Sequence, residues 1–393
     1  MKLISLKLKR FYSQKEIYIF FILGYVFLSG FVFIEPSPAE LWFVLFLPFF
    51  LICTKLKNDN IKLFLLLFIP LFVSTLLGYF LFGFLNLKFF GIDIYLFLLF
   101  LFLISYNISE NTYKYLLKKI IIIWTISGLI NVFIGLFAYA TGRSELLGTK
   151  VIRFSIRLVG FFKDPNVLGP FLIIPALYLF EEFYKSKKGW IKKIIILFFL
   201  SLGILLSFSR AAWLNYFIGV FIIIFAYALK NKTLYNWKTL LALSLLLVVI
   251  ISLFTIDMEI MGISFKSIFK SRLGIKSYDM NRFKSQAASL NMLKMNLLSG
   301  IGPGNYEEIT NYSAHNTFLR YLGERGLLGI ITLYIFLIYI FLKAYQIKDN
   351  IFLLASLTGL MINSYIVDTL HWRHMWILFV LIILKEENKN YEL

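Results

Sequence analysis

The chain has 393 residues, of which 60% are hydrophobic, 19% aromatic and only 16% charged, with a formal net charge of +19. No soluble globular domain carries that balance, and the single cysteine, Cys53, excludes an intramolecular disulfide and a cysteine metal site. In such an apolar chain the basic excess belongs to lysine-rich loops facing anionic membrane lipids, so no nucleic-acid partner is expected.

A basic start (Lys2, Lys7, Lys9, Arg10, Lys15) leads into an apolar run from Ile17 with no small-residue cleavage pattern behind it, which reads as a retained first span. Apolar runs then recur, each long enough to cross a hydrocarbon core of roughly 30 Å as a helix. Twelve spans are expected, at about 17–34, 40–54, 62–83, 92–107, 120–140, 165–182, 191–207, 210–229, 239–256, 316–343, 351–368 and 372–384. There is no internal repeat and no low-complexity linker. The expected fold is therefore all-α, a single polytopic domain over 1–393, with one large extracytoplasmic loop at 257–315.

With the N-terminus inside, 22 of the 30 lysines fall in cytoplasmic loops or tails. That supports an N-in, C-in topology in the plasma membrane. Arginine behaves oppositely. Only Arg10 falls inside, whereas Arg143, Arg153, Arg157, Arg210, Arg272, Arg282, Arg320, Arg325 and Arg373 fall on outer loops or outer span ends. Lysine would serve topology equally well. Arginine adds a permanently charged planar fork that grips phosphate with two bonds, so an outer phosphate-bearing ligand is expected. For part of the set the alternative is pairing with Glu145, Asp164, Glu307, Glu308 or Glu324, or with lipid headgroups.

Four segments carry candidate chemistry. In Arg153–Asn166, Asp164-Pro165-Asn166 reads as a helix start, and Arg153 and Arg157 would share a face if helical. In Leu206–Leu214, Arg210 sits on a four-residue link between apolar spans. So close to hydrocarbon, it needs either a partner or a snorkelling route to the interface. In the long loop, Phe283, Ala287, Leu290, Leu293 and Leu297 recur at helical spacing, which predicts an amphipathic helix on or against the bundle. Arg282 opens it, and Gly300-Ile301-Gly302-Pro303-Gly304 stops it or cradles phosphate. Then come His315, a candidate general base, and Asn316, a candidate N-cap of the next helix. His371 and His374 flank Arg373; packing with Trp372 and Trp376 is the simpler reading than metal ligation.

Together these segments resemble the O-antigen ligase and polymerase family of bacterial membrane glycosyltransferases. Arg210 followed four residues later by Leu214, and His315-Asn316 followed by Gly326 and Gly329, match the ligase patterns. Arg282 before the glycine cluster and the Gly160…Asp164-Pro165-Asn166 stretch also look like family segments. The resemblance covers roughly 150–384 and the span pattern. It implies a C-type glycosyltransferase fold with no bound metal, nucleotide sugar or other cofactor. The implied donor is a glycan on undecaprenyl diphosphate at the outer leaflet, and the acceptor a hydroxyl of lipid A-core or a second glycan. Arg210 and Arg282 would stabilise the departing diphosphate and His315 would act as base, with inversion at the anomeric carbon. Arg153, Arg157, Arg272 and Asn316 are expected to line the substrate, and the choice between Arg272 and Arg282 at the diphosphate stays open. The rival from another class is a lipid-linked glycan flippase, which would favour internal repeats and ionisable groups near the midplane.

Overall fold

The computed structural model describes residues 13–154, 156–185, 189–231, 259–260, 262–264, 266–267, 270, 277–310 and 314–387. These are mostly helical. In order they form α1 (Gln14–Leu28), α2 (Pro38–Cys53), α3 (Asn58–Phe82), α4 (Leu87–Ser105), α5 (Glu110–Thr141), α6 (Pro165–Lys185), α7 (Trp190–Leu206), α8 (Arg210–Asn231), α9 (Ser277–Met295), α10 (Tyr306–Thr310), α11 (Thr317–Gln346), α12 (Ile351–Ser364) and α13 (Arg373–Glu387). Six of them, α3, α4, α5, α6, α8 and α11, are long and apolar enough to cross a membrane, and α2 and α12 are shorter apolar helices. Helices occupy every expected span but the ninth, 239–256, which lies outside the described residues, as does Arg272.

Helix starts follow local chemistry. Ser13 and Glu16 form a reciprocal capping box on α1. Pro38 opens α2, and Glu40 accepts a hydrogen bond from the Ser37 amide at 2.7 Å. The Asp164-Pro165-Asn166 start is observed, with the Asn166 amide donating to Asp164 Oδ1 at 2.8 Å. Packing then sorts the helices by depth. In α13, every residue from Met375 to Leu384 is buried, with Trp376 set against Phe97, Phe100, Phe336 and Phe379. A helix apolar all round belongs at the centre of a bundle. On α8, by contrast, Phe217, Phe221, Phe225 and Leu229 form an exposed stripe at four-residue spacing, the pattern of a lipid-facing helix.

The two ends of the bundle differ in chemistry. At the lysine end, buried Glu181 accepts from the Ile351 and Phe352 amides at the start of α12 (3.1 and 2.8 Å) and from Tyr227 (3.0 Å). Lys385 bridges Glu110 and Asp349 at 2.8 and 3.0 Å. At the opposite end, two antiparallel hairpins precede α6: β1 (Glu145–Leu146) with β2 (Thr149–Lys150), and β3 (Ile152–Arg153) with β4 (Arg157–Leu158). A third, β5 (Glu259–Ile260) with β6 (Ile263–Ser264), lies in the long loop. The hairpin end is laced together. Asn131 takes the Phe161 amide at 2.6 Å, the Val32 amide reaches Phe161 O at 2.8 Å, and Glu35 pairs with Lys88 and Lys163 at 2.9 and 2.8 Å. Those two lysines hold the Glu35 carboxyl down at about 2.

The amphipathic helix of the long loop is present as α9, but it is turned over. Phe283, Leu290 and Leu297 are exposed, and the packed face is Ser285, Ser289 and Met292. The reason is close approach. Ser289 and Met292 lie against Gly323 of α11, where there is room for nothing larger, and the Tyr306 hydroxyl bonds to Ser285 O and meets Ser289 Oγ at 3.3 Å. Small residues therefore face the bundle and the apolar ones face outward.

The glycine cluster after α9 docks on a break in α11. Gly326 has φ 61° and ψ −160° inside that helix. Across the break the Leu327 and Leu328 amides donate to Leu297 O and Leu298 O (both 3.0 Å). The Ile301 and Gly302 amides donate to Gly323 O and Glu324 O at 3.1 and 2.8 Å. A Cβ on Gly326 would stand 2.5 Å from Leu298 C and O, and one on Gly300 would stand 2.5 Å from Gly323 O. Two main chains lie side by side, which only glycine permits. The Ile301 and Gly302 amides are taken up by helix carbonyls, and the helix before the cluster already ends at Met295.

Candidate functional site at the hairpin end

His315 lies on the short segment entering α11, in a left-handed conformation (φ 49°) that is unusual for a bulky residue. Asn316 holds this entry at both ends of its side chain. Its Oδ1 caps α11 through the Leu319 amide at 2.9 Å, and its Nδ2 donates to Tyr365 O at 2.9 Å. Gln286 of α9 reaches His315 O at 3.4 Å. The imidazole is half-buried, and its basicity is lowered first by that burial and then by the nearby Arg282 guanidinium, against the opposing pull of Asp164 and Asp368. Arg282 of α9, Asp164 before α6 and Asp368 of the α12–α13 loop are thus close enough to act electrostatically on His315.

Asp164 leads to the other arginines. Asn166, two residues on, accepts from Arg157 Nη2 at 3.0 Å, and Arg157 Nε donates to Ser207 O at 2.9 Å. Ser207 belongs to the α7–α8 corner, where Phe208 takes φ 48° and Arg210 opens α8. The corner is fixed by Ser207 Oγ to Ile204 O (2.7 Å) and Trp213 Nε1 to Ile204 O (3.2 Å). Arg153 and Arg157 are not on a helix: they are direct cross-strand partners in the β3–β4 hairpin. Like charges placed opposite one another are unfavourable unless an anion lies between them. Arg153 Nε is buried with no hydrogen-bond partner among the described residues. Among the described residues, three of the four non-glycine residues with left-handed backbone, Phe154, Phe208 and His315, lie in this region. Such conformations gather at functional sites.

Three further arginines at this end, Arg320, Arg325 and Arg373, are locked in carboxylate pairs. Arg320 meets Asp368 at 2.8 Å, Glu307 at 2.9 Å and Glu324 at 3.1 Å, with its guanidinium over the Phe89 ring. Arg325 pairs with Asp93 and lies along α11, where Gly329 leaves space for its stem. Arg373 pairs with Glu40. Phosphate recognition is thus not required to explain these three. His374 packs on Trp372 and Phe171, as the aromatic reading expects. His371 does not. It sits between Asp93 (3.2 Å) and Asp368 (3.6 Å). Asp93 went unnoticed in the sequence, although an ionisable residue inside an apolar span is itself a signal.

The helices are those of a polytopic membrane protein, with a charged, strained cluster at one end. Residues 195–334 match a family model described as O-Antigen ligase, so the O-antigen ligase and polymerase resemblance holds over the stretch carrying Arg210, Arg282 and His315. The hairpin arginines and Asp164–Asn166 lie outside the matched stretch. No curated protein matches the chain.

Proposed function

We propose that this protein transfers a glycan from undecaprenyl diphosphate to an acceptor hydroxyl at the outer face of the plasma membrane, as an O-antigen ligase. The observation that carries the reading is His315: a half-buried imidazole kept neutral by burial and by Arg282, at the edge of an arginine-bearing corner and hairpin. A neutral imidazole takes the proton from the acceptor hydroxyl as its oxygen attacks the anomeric carbon. The carbon–oxygen bond to the diphosphate breaks on the opposite face, giving inversion. The charge that develops on the leaving diphosphate is met by Arg210 and Arg282, with Arg153 and Arg157 gripping the donor and Asn316 fixing the base. No metal or cofactor enters any step.

The test is transfer by the purified protein in liposomes containing lipid-diphosphate glycan, with lipid A-core in one arm and a second lipid-linked glycan in the other. Product on lipid A-core supports the ligase, and chain extension in the second arm supports a polymerase of the same family. Glycan crossing the bilayer with no new bond points to the flippase. His315→Ala should lower transfer by orders of magnitude, and transfer should persist in excess EDTA. Full activity of His315→Ala overturns the assignment of the base.

A further inference from the structure

We infer that His371, as an imidazolium bridging Asp93 and Asp368, is a positioning residue that clamps the first half of α11 and thereby sets His315; this rests on the function proposed above. The geometry begins with the two ring nitrogens. Nε2 is 3.2 Å from Asp93 Oδ1 and Nδ1 is 3.6 Å from Asp368 Oδ2. A neutral imidazole carries one N–H, so one of its nitrogens would turn a lone pair toward a carboxylate; the imidazolium presents a proton to both.

The charges around it point the same way. Asp93 comes from α4, Asp368 from the loop before α13, Glu324 from α11 and Glu307 from α10, and the cations facing them are Arg320 and Arg325 of α11. Asp93 and Asp368 each pair with one guanidinium, and His371 stands as a further cation between the two carboxylates. The Phe89 ring closes the α4 side at 5.4 Å. Burial lowers the basicity of His371, but the Asp93 hydrogen bond and the two carboxylates outweigh both this and the opposing Arg320, so the net direction is up. For Asp368, burial raises the carboxyl, and Arg320 and His371 more than reverse it.

The clamp reaches His315 through two residues. Thr317 Oγ1 meets Asp368 Oδ1 at 3.3 Å and accepts the Thr369 amide at 2.9 Å, and Asn316 is bonded to Tyr365 O. The α12–α13 loop is therefore buckled to the first turn of α11, and His371 ties that loop to α4. Because the folded His371 is more basic than a free histidine, the clamp is fully present below the ordinary value of about 6.5 and is lost as pH rises through the raised one. His315, shifted the other way, is neutral across that interval.

Two readouts on the full chain in liposomes test this. The first is the pH profile of transfer. The unaltered protein should lose roughly tenfold or more on the alkaline side as the clamp opens. His371→Gln should be low and flat there, and His371→Lys, which keeps a cation, should hold its rate. The second needs no activity: carbethoxylation of His315 by diethyl pyrocarbonate, read by peptide mass spectrometry between about pH 7 and about pH 9. In the unaltered protein labelling should accelerate as pH rises, and in His371→Gln it should be fast throughout. An unchanged alkaline limb in His371→Gln, or labelling indifferent to both pH and His371, overturns the clamp. Absence of transfer with the expected labelling removes the proposed function and leaves the clamp standing.

Discussion

Arg157 and Arg320 are both nearly inaccessible, 7% and 5% exposed, at the same end of the bundle, and they are held in opposite ways. Arg320 is gripped by three carboxylates. Arg157 donates to a main-chain carbonyl and to an amide oxygen. A guanidinium held by carboxylates has its charge neutralised within the fold. In the function proposed above, the bonds to Ser207 and Asn166 orient the Arg157 fork for the donor diphosphate. Under that proposal the arginines expected on the outer face serve two ends: Arg320, Arg325 and Arg373 build the scaffold, and Arg157 serves the donor.

The sharpest way to break this comparison is to remove a scaffold carboxylate. Asp93→Ala strands Arg325 and His371 in the interior and should cost about 3–5 kcal/mol, visible as a large fall in thermal unfolding temperature in detergent; an unchanged melting curve would mean the pair is dispensable. Next in size, Arg157→Lys keeps the charge and loses the fork. Transfer should fall about 100-fold with a melting temperature within a few degrees of the parent. If stability fell and transfer per folded molecule did not, Arg157 would belong with the scaffold. Arg320→Lys should do the reverse, costing about 1–3 kcal/mol of stability while the remaining folded protein stays active. The smallest effect concerns His315. As a base it must be neutral, so transfer should decline on acidification only below the ordinary histidine value of about 6.5. Arg282→Gln removes one of the influences that lower it and should move this acid limb upward. An acid limb that stays in place, measured on purified variants, would separate Arg282 from the base.

Helix positions were legible in the sequence because apolar length and Ser-x-x-Glu starts are local signals. The observed starts at Ser13-x-x-Glu16, Ser37-x-x-Glu40 and Asp164-Pro165 follow from residues at most a few positions apart. Which arginine does what was not legible, since partners come from far along the chain: Asp93 lies 232 positions from Arg325, and Glu40 lies 333 from Arg373. The face of α9 was misread for a related reason. Periodicity locates an apolar stripe but not what it faces, and the Gly323 contact selects serines for the packed side. Arg153 and Arg157, four apart, would share a face if helical, whereas a tight hairpin makes them cross-strand neighbours. His315, Asn316 and the glycines that follow were found through their spacing. The structure supplies reasons for three of them: Asn316 caps, Gly326 permits the break, and Gly329 makes room for Arg325.

The break at Gly326 divides α11 into two levers of unequal length. The longer one, running on to Gln346, is the part that meets the hydrocarbon, and a helix there changes tilt when bilayer thickness changes. The shorter one carries the entry turn and is fastened to its neighbours by Arg320, Thr317 and Asn316. The joint itself is pinned from both sides, since Leu327 and Leu328 donate to Leu297 O and Leu298 O while Gly323 O and Glu324 O accept from Ile301 and Gly302. The angle between the two levers is therefore set by the chain that docks on the break.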